Sequence, residues 1–175
     1  TCRRVGGSLA HAETLMGRPR AVIAGAGHVG QAVAQLTVLL GFDTVVVDER
    51  PEFADLAQLP GVDTVLCGDY GRTLAELPGY ANTYFVLVTP GHRMDRESAA
   101  AALRQPHEYV GMIGSRGKVA AVREALVGQG LSPAVVDSLH APIGLPLGGR
   151  EPAEIAVSIA AEIVSVRAQR GRHAF

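Results

Sequence analysis

At 175 residues and a formal net charge of −1, the chain is long enough for one domain with a substantial core and short for two independent ones. The near-zero charge gives no general electrostatic case for binding nucleic acid or an anionic membrane, since either needs concentrated positive charge. With 47% hydrophobic and 19% charged residues, 21 glycines and no tryptophan, the composition excludes general disorder and suits a buried parallel sheet joined by many tight turns.

Cys2 and Cys67 are too few and too far apart for a zinc ribbon or a disulfide framework, and reduced thiols in a cytoplasm fit best. No apolar run approaches the roughly 20 residues of a membrane helix, and no charged start is followed by an apolar signal core. Thr1 stands where an initiator Met would, and a Gly/Ser/Arg-rich stretch runs to about Arg18. Both point to an excised domain or processed fragment whose remaining part would hold half of the function.

Residues 1–18 show no sustained period and are expected to form a tail or interdomain linker, with a helical turn around Ala10 to Met16. A single domain is expected over 19–170, followed by a short tail at 171–175. From Arg20, apolar runs near 20–24, 44–48, 63–67, 84–89 and 109–113, and a short one near 138–141, alternate with stretches of helical period. That alternation predicts a Rossmann-like, doubly wound α/β fold: a parallel sheet in a three-layer αβα arrangement, with a C-terminal helix packed on the sheet.

The first such unit is the most informative. Arg20-Ala-Val-Ile-Ala breaks into Gly25-Ala-Gly27-His28-Val29-Gly30 and then into helix formers, which reads as strand, tight turn, helix. Gly25 permits the turn, Gly27 admits a phosphate to the backbone, and Gly30 lets the helix pack closely. Unpaired N–H groups and the helix dipole then converge on a point that suits a pyrophosphate. The next apolar run ends in Asp48, 23 residues after Gly25, where the dinucleotide fingerprint places an acid that accepts hydrogen bonds from a ribose diol.

The first helix is predicted from about His28 to Leu40, with Val29, Ala32, Val33, Leu36 and Leu40 on one side and Gly41 as its stop. Pro51, after Asp48-Glu49-Arg50, suits the first turn of a second helix with Phe53, Leu56 and Ala57 facing inward. Helices are also expected through Leu74 to Leu77, after Pro90-Gly91-His92-Arg93-Met94-Asp95-Arg96 to about Arg104, from Lys118 to Leu126, and from Glu151 to about Gln169. In the last, Ile155, Ile159, Ala160, Ile163 and Val166 recur at helical spacing.

Ligands of doubly wound sheets bind outside the carboxyl ends of the strands, where strand order reverses, so the loops at 25–30 and 90–96 should meet. His28, at a helix N-terminus, either donates to a phosphate oxygen or is a neutral ring satisfied by backbone. His92 and Asp95 flank the same crevice; their spacing makes no strong metal motif, and Asp95 also fits as a stabilising acid in a helix's first turn. His140 reads as structural. Gly114-Ser115-Arg116-Gly117-Lys118 places a hydroxyl and two cations at another strand exit, either clamping a second anionic group or solvated and paired with Glu. The candidate cofactor-binding set is Gly25, Gly27, His28, Val29, Gly30, Asp48, Glu49, Arg50, Gly91, His92, Ser115, Arg116 and Lys118, with no catalytic or metal-ligating residue assigned. Arg167, Arg170 and Arg172 read as a solvated helix end.

Gly25-Ala-Gly-His-Val-Gly30, Val47-Asp-Glu-Arg-Pro51, Gly91-His92, Tyr109-Val-Gly-Met-Ile-Gly-Ser-Arg116 and His140-Ala-Pro-Ile-Gly144 occur in this order. Together they make the chain, from about Arg18 to Arg167, resemble the XdhC/CoxI family of xanthine dehydrogenase accessory proteins. It departs from the family pattern at Pro90 and Met94, where many relatives carry an arginine and a histidine. The resemblance implies a cytoplasmic chaperone that binds the molybdenum cofactor, as molybdopterin or its dinucleotide form, and has no catalytic activity of its own. It also implies support for the cofactor's sulfuration and delivery to a xanthine or carbon monoxide dehydrogenase. The partners expected are that molybdenum hydroxylase client and a sulfurtransferase, with self-association into a homo-oligomer left open. An NAD-dependent oxidoreductase and an NAD-sensing regulatory domain are the alternatives, although no substrate domain follows the fold.

Overall fold

A computed structural model describes residues 2–5, 8–11 and 17–173, without the side chains of 2–11, 92 and 170–173. Five apolar runs form one parallel sheet: β3 (Arg20–Ala24), β4 (Asp43–Asp48), β5 (Thr64–Cys67), β6 (Thr83–Leu87) and β7 (Tyr109–Met112), in the order β5-β4-β3-β6-β7. Central β3 pairs Ala24 with Val47 on one side and with Leu87 on the other. Strand order reverses between β3 and β6. His140 makes an isolated parallel bridge to Gly111, so the short sixth run occupies the next position in the sheet without becoming a full strand.

Apart from the edge strand β5, which is partly exposed, the strands are apolar on both faces because both are covered. Val22, Ala24, Val45, Val47, Phe85, Leu87, Val110 and Met112 face α2 (Tyr70–Glu76), α3 (His92–Leu103), α4 (Arg116–Gly128) and α5 (Pro133–Asp137). Ala21, Ile23, Val46, Tyr84, Val86 and Tyr109 face α1 (His28–Leu39) and α6 (Pro152–His173). This is the three-layer arrangement expected, with the C-terminal helix on the sheet. Ile159 and Ile163 of α6 are fully buried beside Val33 of α1. Ile155 and Val166 pack into the same cluster, and Ala160 is buried as well.

The helix expected after Pro51 is replaced by turns and a short 3-10 segment, Leu56–Gln58. Asp55 starts that segment by accepting the N–H of Ala57 at 2.9 Å, while the Arg50 guanidinium lies 3.8 Å from the centre of the Phe53 ring. Of the residues expected to face inward, Phe53 packs against the core, whereas Leu56 is 54% exposed and Ala57 is exposed as well; the buried Leu59 and Val62 anchor the crossover further on. Helix α5, not expected, begins at Pro133, with the Ser132 hydroxyl accepting the N–H of Val135.

Within 1–18, β1 (Cys2–Val5) and β2 (Ser8–His11) pair antiparallel, Cys2 opposite His11 and Val5 opposite Ser8. Runs of four residues are too short to display a period. Of the helical turn expected near Ala10 to Met16, Ala10 and His11 lie in β2 and 12–16 fall outside the described residues. No helix among the described residues is long and apolar enough to cross a membrane.

Ile159→Ala should destabilise the fold by about 2–5 kcal/mol through the cavity it leaves. Val164→Ala, on the exposed face of α6, should change it by less than about 0.5 kcal/mol. Urea unfolding of the two variants checks the orientation of the helix.

Candidate functional site

The strand ends meet around the first glycine turn. Gly25 has φ 109, a left-handed backbone that favours glycine, and its N–H donates to the Val47 carbonyl at 2.8 Å. A Cβ there would stand 2.5 Å from the Val88 carbonyl oxygen, so the turn and the exit of β6 touch only because the side chain is missing. At Gly30 a Cβ would collide with the Gly25 carbonyl, and glycine therefore seats α1 against its own turn. Gly27 is different: a Cβ would meet nothing within 4 Å. It N-caps α1 without a side-chain cap, leaving first-turn N–H groups and the positive end of the dipole open to a ligand. His28 is exposed at the first position of α1, and Val29 packs into the core beneath it.

Asp48 ends β4 fully buried. Its Oδ2 accepts the Ala26 N–H at 2.7 Å and Arg50 Nη2 at 2.9 Å; its Oδ1 accepts the Arg50 N–H at 3.0 Å and Nε at 2.9 Å. Burial opposes the charge, but the hydrogen bonds from the Arg50 side chain and from the Ala26 and Arg50 backbone outweigh it and hold the carboxyl down at about 2. Tyr70 is buried nearby, and burial together with the negative charge of Asp48 pushes its phenol up. Both carboxylate oxygens are therefore occupied from within the chain, and a ribose diol could use them only by displacing Arg50. Glu49 is half-buried next to this pair, and its carbonyl accepts the Cys67 thiol at 4.0 Å, with Cys67 exposed at the end of β5.

Gly91 begins α3, again without a side-chain cap; the His92 side chain lies outside those described. Asp95, one turn into α3, is fully buried. It accepts the Thr89 hydroxyl at 2.6 Å and forms an ion pair with the Lys118 ammonium from α4. Lys118 is thus committed to an acid of the neighbouring helix, a partner that sequence spacing does not reveal. Ser115 caps α4 by accepting the Lys118 N–H at 3.3 Å, and Arg116 is exposed at the first helical position. The structure brings Gly25, Gly27, Gly30, Asp48 and Arg50 into one cluster at the switch point, with the exit of β6 against it. Ser115 and Arg116 stand at the exit of β7, one strand beyond β6. Among the described residues, no three His, Cys, Asp or Glu side chains converge as metal ligands.

A second polar cluster, unforeseen, lies on the α6 face of the sheet. Glu162 accepts the Tyr109 hydroxyl at 2.5 Å and the Gly144 N–H at 2.9 Å, and its other oxygen is 3.3 Å from His140 Nδ1. A Cβ at Gly111 would clash with the Tyr109 hydroxyl and Ile143, so this glycine makes room for the network. Burial opposes the charge of Glu162, but the His140, Tyr109 and Gly144 contacts prevail and lower its pKa. His140 is accordingly structural in its contacts, holding the bridge beside β7. A glutamate adjoining the buried Ile163, on a helix of strict apolar period, was the available sequence signal.

The strand order β5-β4-β3-β6-β7 and the glycine turn between β3 and α1 define a Rossmann-like domain. Residues 21–163 match the XdhC Rossmann domain, and the chain belongs to that family. An uncharacterised Escherichia coli K12 protein, YqeB, is 36% identical over 150 residues, 86% of this chain and 28% of its own length. A probable xanthine dehydrogenase subunit of Bacillus subtilis is 29% identical over 150 residues, 86% of this chain and 43% of its own length. The crystal structure of a xanthine dehydrogenase from Bacillus halodurans superposes with a TM-score of 0.79 at 25% identity, covering 90% of this chain and 46% of that one. The chain therefore spans less than half of each of these relatives.

Asp48→Asn should lower stability by about 2 kcal/mol at neutral pH, the linkage equivalent of the shifted pKa. Because the folded pKa lies below the unfolded one, that contribution is complete above the unfolded value of 3.8 and is lost as pH falls through about 2. Wild-type and variant unfolding curves should accordingly converge between those two pH values.

Proposed function

We propose that this domain holds the molybdenum cofactor, as molybdopterin or its dinucleotide form, and serves the maturation of a xanthine dehydrogenase or related molybdenum hydroxylase. The observation that carries the reading is the space at Gly27: a backbone position at a helix N-terminus where even a Cβ would touch nothing, in a chain of the XdhC family. Phosphate is the shared chemistry. The cofactor's molybdopterin form ends in a phosphate and its dinucleotide form carries a pyrophosphate, and either would accept hydrogen bonds from the first turn of α1. The cofactor would supply the metal chemistry of the client enzyme.

The chain's own residues bind and orient. The Gly25–Gly30 turn would receive the phosphate, His28 would offer an exposed donor beside it, and Arg50 would bring a fixed cation. The exit of β6 at Val88 and Thr89 closes the other wall. Lys118, being paired with Asp95, would position α4 against α3 rather than reach the ligand. An NAD-linked activity needs Asp48 to accept from a ribose diol, and its oxygens already accept four hydrogen bonds. Delivery to a client, with a sulfurtransferase acting on the bound cofactor in a cytoplasmic setting, completes the proposal.

Gly27→Val should weaken molybdopterin binding by at least about tenfold, the equivalent of losing one good hydrogen bond to a charged group, with the circular dichroism spectrum unchanged. Equilibrium dialysis against the cofactor measures the loss, and a folded variant with full affinity would remove the glycine turn from the site. In reconstitution, the cofactor-loaded protein mixed with apo-hydroxylase should raise client activity. NADH formation by this protein from alcohols or hydroxy acids, without any gain in client activity, would instead support an oxidoreductase.

A further inference from the structure

The residue presented to a ligand at the end of β4 is not the acid but its partner. Asp48 lies beneath, with no exposed surface, while the Arg50 side chain above it is 33% exposed. We propose that Arg50 reads the ligand at this strand end and selects a phosphate monoester over a free diol. This rests on the glycine turn being the cofactor site and deepens that reading by assigning the chemistry beside it.

A guanidinium has five N–H groups and no acceptor. Here Nε and one N–H of Nη2 are spent on Asp48, and three donors remain. The Phe53 ring, its centre 3.8 Å from the guanidinium carbon, and the two-point grip of Asp48 fix the plane, so little side-chain freedom is lost on binding. The same Oδ2 that receives Nη2 also receives the Ala26 N–H, which places the cation two hydrogen bonds from the glycine turn. A diol would meet only donors here and waste its own hydroxyl protons. A phosphate monoester is all acceptor and carries the complementary charge.

Two sources supply that chemistry, a phosphorylated ribose or the terminal phosphate of a pterin, and calorimetry separates them with two pairs of probes. NADP+ and NAD+ differ by one phosphate on the ribose 2′-oxygen; 6-hydroxymethylpterin phosphate and 6-hydroxymethylpterin differ by a terminal one. In at least one pair the phosphorylated member should bind about tenfold tighter or better to the wild-type chain, and the pair showing the gap identifies the source. Arg50→Gln should abolish the gap, whereas Arg50→Lys, which keeps the charge and loses the fork, should retain part of it. Should Arg50→Gln fail to fold, the wild-type pairs and Arg50→Lys still decide. Binding with no preference within either pair, or a preference that survives in folded Arg50→Gln, overturns the role of Arg50 while leaving the glycine-turn site standing. Failure of all four probes to bind overturns both.

Discussion

A single buried carboxylate ties the strand ends of this domain together. Asp48 fastens the backbone of the glycine turn through Ala26, the chain leaving β4 through the Arg50 N–H, and the Arg50 side chain by two further bonds. Burying a carboxylate is costly unless its lone pairs are filled, and here four donors fill them. The turn that would carry a phosphate is thus held at its second residue from the neighbouring strand, leaving Gly27 open to a ligand.

The remainder of the site depends on close approaches that only glycine allows. Gly25 lets the exit of β6 come against the turn, and Gly30 seats α1; Gly111, on the far strand, clears space for Tyr109 to reach Glu162. The Asp95–Lys118 pair does for α3 and α4 what Asp48 does for β3 and β4, joining two elements that both start at strand ends. A preorganised cradle results. Such preorganisation reduces the ordering cost of binding, which is what the proposed role of holding a cofactor would require.

Much of this was legible in the sequence because local signals agreed. The alternation of apolar runs with helical periods yielded the sheet, and the spacing from Gly25 to Asp48 correctly placed an acid beside the turn. What was not legible was the partner of each charge. Arg50 lies only two residues from Asp48, yet nothing in the sequence says that the chain folds back so that both side chains share one set of hydrogen bonds. Lys118 and Asp95 belong to separate helices and meet only through tertiary packing. The Pro51 segment misled in part: Phe53 does pack inward, but the helical period that Leu56 and Ala57 continue in the sequence gives way to turns, and Leu59 and Val62 anchor the crossover further on. At α5 the Ser132-Pro133 start was a readable signal that short length obscured.

The central claim is that the open glycine turn holds a phosphate-bearing pterin. Mass spectrometry of the small molecule released on denaturing the protein purified from molybdate-replete cells tests it most directly. The account predicts a molybdopterin-type mass in the wild-type protein and its loss in Gly27→Val. A nicotinamide dinucleotide in its place, or a pterin retained undiminished by a folded Gly27→Val variant, would contradict it.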